Sequence, residues 1–311
     1  MSLVAVFVLL IMHFLQVYSA DISSIWSLSP LDLLLIGIWS FVSYSAYAYA
    51  VYVMLISAGL KNVGPFGWLR IYFVSRVANF LVIQGGNLFR LFVLKKKYGF
   101  SYANSIGVTT LLIWLNAAIA LLASSYVFAT IDLNNDSFGV SLFAASVLAL
   151  AGVLSLPLII VSLVKATENL QLLPAKISEP VLKVSNYFVE TIKNHRLMAQ
   201  IFTLSCVHFA FFVGVNYFSF RALGQQVDVA GVCLFTTALV FTRYVNIVPG
   251  NLGLSELIGG LVSELLGIGF GSGLLVVGIV RMTEVLIILL FGLVYGKLLI
   301  LDFLRNRSTS D

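Results

Sequence analysis

Backbone inside a lipid bilayer has no water to bond to, so every N–H and C=O must be satisfied within the protein, as helix or closed barrel. That condition governs this chain. Apolar tracts of the roughly 18–20 residues needed to cross the hydrocarbon core follow one another along its 311 residues. Those at 3–20, 31–58, 102–130, 138–164, 197–222 and 272–301 read as spanning helices. Two more, 66–95 and 229–268, are long enough but are cut near their middles by "QGGN" (84–87) and "PGNLG" (249–253). Only 10% of the residues are charged, against about a quarter in a soluble domain. The expected fold is an all-α polytopic membrane protein.

Loop charges orient the spans. The 21–30 and 131–137 turns hold Asp21, Asp132 and Asp136 and no Lys or Arg. The 61–100 region, with Lys61, Arg70, Arg76, Arg90 and Lys95–Lys97, is rich in them, as are the 165–196 loop and the tail ending with Arg305 and Arg307. The positive-inside rule puts these regions and both termini in the cytoplasm. Six spans satisfy that only if each broken tract leaves by the side it entered. The tracts are then re-entrant hairpins, the first from the cytoplasm and the second from outside. The net charge of +5 serves topology and does not point to nucleic acid. The N-terminal 20 residues lack a basic leader and read as a retained span.

A shift of 167 residues lays "SRVANFLVIQGG" (75–86) on "TRYVNIVPGNLG" (242–253), matching Arg76 to Arg243, Asn79 to Asn246 and Gly86 to Gly253. Each copy has a span before and after it. The layout is therefore 1–30, a first helix and external turn; 31–130, repeat unit 1; 131–196, a helix plus a cytoplasmic amphipathic helix at 175–195; 197–303, repeat unit 2; and 304–311, a tail. Opposed repeats with discontinuous helices are a transporter architecture, with the site where the breaks meet. The 175–195 helix, with Ile177, Val181, Val184, Phe188 and Ile192 on one face, is either a membrane-surface helix or a connector packed on the bundle.

Arg76, Arg90, Arg243, Glu256, Arg281 and Glu284 fall in apolar context. Six such groups facing lipid would cost on the order of 15 kcal/mol, so they must pair or line a polar cavity. Arg281 and Glu284, three apart on one helix, are placed to neutralise each other, and Arg90 and Glu256 to approach across the repeat. Pro249 and the glycines break the second tract, leaving amides at the start of a helix near Leu254 that suit an anion such as phosphate. The candidate binding set is Arg76, Asn79, Gly86, Asn87, Arg90, Arg243, Asn246, Pro249, Gly250, Gly253, Glu256, Arg281 and Glu284. His13 and His208 lie in spans and more often make one helix–helix hydrogen bond than carry protons. Cys206 and Cys233 read as small core residues. No metal spacing, nucleophile elbow, phosphate loop or dinucleotide fingerprint occurs, and no catalytic residue, metal or cofactor is expected.

The chain resembles the transmembrane region of the lysylphosphatidylglycerol synthase/flippase family of bacteria and archaea. The resemblance rests on Gly85-Gly86-Asn87-Leu88-Phe89-Arg90, on Pro249-Gly250-Asn251-Leu252-Gly253-Leu254-Ser255-Glu256, on "YGFS" (98–101) and on "GIVRMTEV" (278–285). It implies a multi-pass domain of the cytoplasmic membrane that moves lipids, an anionic phospholipid or a polyprenyl-phosphate-linked intermediate, with further copies of itself or envelope-biosynthesis proteins as the partners to expect. Asn87 stands where the family tends to have an acid, Asn251 where it has glycine and Trp114 where it often has arginine, which argues against a lysyl-lipid substrate. Without an aminoacyl-transferase half, the chain is expected not to make lysyl-lipid. The other functions to weigh are a membrane-embedded transferase on lipid phosphates, with Glu256 or Glu284 as base, and a non-catalytic scaffold subunit.

Overall fold

The computed structural model describes residues 28–81, 84–130, 137–169, 175–244, 251 and 253–307, and every regular element among them is helical. Among the described residues four helices are long and apolar enough to cross a membrane: α1 (Pro30–Ser57), α4 (Tyr102–Thr130), α7 (His195–Ala222) and α10 (Phe270–Arg307), the last over Phe270–Gly296. At 1.5 Å per residue, α1 is about 42 Å long, more than a hydrocarbon core of about 30 Å. The expected span at 3–20 lies outside the described residues. That at 138–164 falls on α5 (Ser137–Asn169), whose described apolar stretch, Leu142–Pro157, is shorter.

The two broken tracts are helical pairs, α2 (Pro65–Leu81) with α3 (Gly85–Tyr98), and α8 (Val229–Thr242) with α9 (Leu254–Leu265). None of the four exceeds 17 residues, about 25 Å, so none crosses the core unaided. Each pair folds back on itself. In the first, Gly86 meets Ser75 and Arg90 lies over the Tyr72 ring. In the second, Ser255 meets Thr242, and positions 259 and 231 face Phe235 and Leu266.

Local chemistry fixes the helix ends. Ser29 caps α1 through the Asp32 amide (3.1 Å), with Pro30 at the first helical position; Asp228 caps α8 through the Gly231 amide (2.9 Å), each supplying an acceptor to an orphan donor. At the end of α3, Gly99 turns left-handed and its amide bonds to Lys95, while Lys95–Lys97 sit against the helix's negative end, as a C-terminal dipole favours.

Packing repeats along with the order of elements. The central contact is α1 on α7; α2 packs on α10, and its counterpart α8 packs on α4. The His208 ring bonds Ser43 across the α1–α7 contact (Nδ1 to Oγ, 2.9 Å), the satisfied helix–helix role expected of it. Cys206 and Cys233 are free thiols. Helix α6 (Ala175–Lys193) packs on α4, α5 and α7. Phe188 is buried there edge-on to Trp114, and the Tyr187 hydroxyl donates to the Met54 carbonyl (3.1 Å). This packing is what the connector expectation describes.

Candidate functional site

Each hairpin carries a left-handed residue near its tip. Gln84 and Asn251 are equivalent under the 167-residue shift, and both are left-handed, at φ 59° and 58°. Each stands just before the returning helix. Ser75 and Thr242, also equivalent, each donate to the carbonyl three residues back, at 2.6 and 2.8 Å. The means of closing the tips differ. In the first hairpin the Asn79 side-chain oxygen accepts from the Gly86 amide (2.8 Å), and a Cβ on Gly86 would lie 2.0 Å from the Ser75 carbonyl oxygen. Only glycine fits there. In the second, the Asn251 side chain donates to the Thr242 carbonyl (2.6 Å) and to Ser255 (3.1 Å).

The charges meet in two ion pairs. Arg76 on α2 pairs with Glu284 on α10, and Arg281 on α10 pairs with Glu256 at the start of α9 (2.7 Å). Arg281 also donates to the Asn251 carbonyl (3.1 Å). The sequence places Arg281 beside Glu284 and Arg90 beside Glu256. In the structure each of α10's charges reaches a different hairpin instead, and Arg90 donates to Asn87 on its own helix. A tertiary partner with well-directed oxygens outweighs an i, i+3 neighbour, whose pairing is worth only about 0.2–0.5 kcal/mol.

Glu256 also accepts from the Gly253 amide (2.9 Å). The positive end of α9 thus already holds an internal carboxylate, and the Gly86 amide is held by Asn79. Neither of these two glycine amides is left for a ligand. Asn246, Pro249 and Gly250 lie outside the described residues.

Arg76, Arg90 and Arg243 line one cavity of about 200 Å³ between the first hairpin and helices α1, α4, α7 and α8. A second, of about 140 Å³, opens between the second hairpin and α10, lined by Thr242, Ser255, Arg281 and Glu284. Arg76, Asn79 and Arg243 belong to both, so the repeat-related arginines stand on the wall between the chambers. Arg76 lies over Tyr44 (5.2 Å) and Arg243 over Phe212 (4.1 Å), cation–π contacts that hold guanidinium planes. Among the described residues Arg243 and Arg90 have no carboxylate partner. No group of three or more potential metal ligands occurs among them either.

The sequence reading missed Tyr44, Tyr47 and Tyr72, which line the larger cavity. A sign of two of them was available. "SYSAYAYAVY" (43–52) sets six hydroxyl side chains into ten residues of a spanning helix, far more than lipid contact needs.

An all-helical body with several apolar spans and an arginine-lined polar interior defines a multi-pass membrane protein. The chain belongs to the family described as "Lysylphosphatidylglycerol synthase TM region", whose model matches residues 2–292. No curated protein and no solved structure matches it.

Proposed function

We propose that this protein is a lipid translocase of the cytoplasmic membrane, moving a phosphate-bearing lipid, either a phospholipid or a polyprenyl-phosphate-linked intermediate, and not an enzyme. The observation that carries the reading is the wall between the chambers. Arg76 and Arg243, one from each repeat, face a cavity on either side, within a body whose outer helices are apolar. An anionic headgroup passing between leaflets needs successive cationic partners shielded from lipid, and two repeat-related arginines supply them.

In this reading α1, α4, α5, α7, α10 and the N-terminal segment span the membrane, and α2–α3 and α8–α9 are re-entrant hairpins of an inverted repeat. Both termini lie in the cytoplasm. The matched tip geometry of Gln84 and Asn251 and the reciprocal packing of α2 on α10 and α8 on α4 support it. The transferase alternative needs a free carboxylate as base. Glu284 is engaged by Arg76 and Glu256 by Arg281 and the Gly253 amide, which favours translocation.

Reconstitution tests the proposal. Vesicles containing the protein should move a fluorescent phospholipid or polyprenyl-phosphate analogue between leaflets, and Arg76→Ala/Arg243→Ala should abolish the movement. Equal rates with wild type, double variant and empty vesicles would refute it.

A further inference from the structure

The two repeats pack alike except at one seam. In the second, α9 lies tightly along α10, while their counterparts α3 and α4 scarcely touch. The cause is in the side chains. A Cβ on Gly273 would come within 2.3 Å of the Gly259 carbonyl oxygen, so this pair of glycines lets two backbones meet. The 167-residue shift puts Phe92 and Ile106 at those places in the first repeat. Phe92 is 53% exposed, Ile106 is 47% exposed and lines the space between the helices, and the helices stand apart.

The resulting gap is a cavity of about 180 Å³ walled by Leu55, Trp68, Leu91, Leu94 and Val108. Its inner end is polar. Asn87, Arg90 and Thr109 line both this cavity and the central chamber. An apolar slot on the lipid-facing side of the first repeat therefore ends on a guanidinium.

The charge of the chamber sets what that guanidinium meets. Three arginines line it or its wall, and among the described residues one carboxylate, Glu284, faces them and is held by Arg76. Residues 245–250, which follow Arg243, include no acidic side chain. Nor does the symmetry mate of Glu284 supply one, because that position is Ala117. Arg90 and Arg243 thus leave two positive charges for a ligand to neutralise. A phosphodiester carries one negative charge, and a lysyl-lipid is cationic overall. A phosphomonoester carries about 1.5 to 2 negative charges at pH 7.

We propose that the α3–α4 slot and the central chamber form one lipid site, with the hydrocarbon chain in the slot and a phosphomonoester headgroup between Arg90 and Arg243. The assignment rests on the translocase reading and names its substrate class. Uncharged or zwitterionic lipids leave the two cations unpaired, and a buried unpaired cation is costly. The neighbouring ring faces, Tyr72 under Arg90 and Phe212 under Arg243, hold the guanidinium planes, and beyond the contact of Arg90 with Asn87 each guanidinium keeps further N–H donors for oxygen.

Binding is measured on the full-length protein in detergent, separately from transport. Native mass spectrometry should find phosphatidic acid retained about tenfold over phosphatidylglycerol, one further charge-assisted contact, with lysyl-phosphatidylglycerol and inorganic phosphate far weaker. Arg90→Gln and Arg243→Gln should each bring the ratio near one. With wild type alone, phosphatidic acid bearing a diazirine in its acyl chain should label peptides from α3 and α4 and spare α9 and α10. Equal retention of the mono- and diester lipids, binding of inorganic phosphate as tight as that of phosphatidic acid, or labelling confined elsewhere would each overturn the assignment. Retention without transport in vesicles would sink the translocase reading and leave this site standing. Transport of diester lipids without the monoester preference would do the reverse.

Discussion

Arg281 and Glu284 stand one turn apart on α10, yet each holds a different hairpin, Glu284 binding Arg76 of the first and Arg281 binding Glu256 of the second. One helix thereby ties the tips of both repeats. The same three-residue spacing in α4 carries Trp114 and Ala117. The Trp114 indole donates to the Val153 carbonyl (2.7 Å), turning that position from the interior to α5. The two halves match in helix order and packing but are asymmetric in charge, and among the described residues Arg243 forms no ion pair with a carboxylate.

This asymmetry predicts opposite responses at equivalent arginines. Glu284→Gln strands Arg76 and should cost about 2–4 kcal/mol, near the low end for breaking a buried pair, because the two side chains keep 27% and 15% exposure to the cavity. Arg243→Met strands no anion and should leave thermal stability unchanged or slightly raised, while stopping lipid movement, a stability–function trade-off. Melting curves in detergent check both. A larger loss from Arg243→Met than from Glu284→Gln would mean that Arg243 is a structural residue.

Glycine substitutions should separate close contact from open space. Gly86→Ala drives a methyl group into the Ser75 carbonyl and should cost about 1–3 kcal/mol, as over-packing does, opening the first tip. Gly278→Ala meets nothing within 4 Å and should stabilise α10 by up to about 1 kcal/mol through helix propensity. Thermal unfolding of the two variants side by side is the measurement.

The left-handed residues at the tips should also part company. Gln84→Gly relieves a backbone strain of roughly 1 kcal/mol, loses only one exposed hydrogen bond from Asn87, and should be nearly neutral. Asn251→Gly relieves the same strain but removes the side-chain donor held by Thr242 and Ser255. It should destabilise by about 1–2 kcal/mol net. Unfolding midpoints of the two variants that move together would contradict the role given to the Asn251 side chain.

Much of this was legible in the sequence because breakers and charges mark discontinuous helices plainly. Proline and glycine at 249–253 placed the restart of α9 near Leu254, where it begins. "QGGN" marked the first break less sharply. Gly85 to Asn87 already belong to α3, since a helix's first turn tolerates glycine and the left-handed residue is Gln84. The partners of Arg281 and Glu284 were not legible, because they lie 25 and 208 residues away in sequence, and no periodicity within α10 points to them. The α3–α4 slot was equally hidden. Phe92 and Ile106 look like ordinary lipid-facing residues until their counterparts, Gly259 and Gly273, are seen in contact.

Topology carries the last prediction. If the two hairpins enter from opposite sides, the α3–α4 turn with Lys95–Lys97 is cytoplasmic, and the α7–α8 turn around Gln225, at the base of the second hairpin, is external. In a chain with Cys206 and Cys233 replaced by serine, Lys96→Cys should react with a membrane-impermeant maleimide only after the cells are opened, and Gln225→Cys in intact cells. The apolar helix α7 separates Gln225 from the basic 165–196 loop, which the positive-inside rule assigns to the cytoplasm in this topology. In that arrangement the α2–α3 pair returns to its starting side, neither helix, at about 25 and 21 Å, being long enough to span a core of about 30 Å. Reaction of both cysteines from the same side would remove the opposed repeats, and with them the reason for placing Arg76 and Arg243 on a shared path.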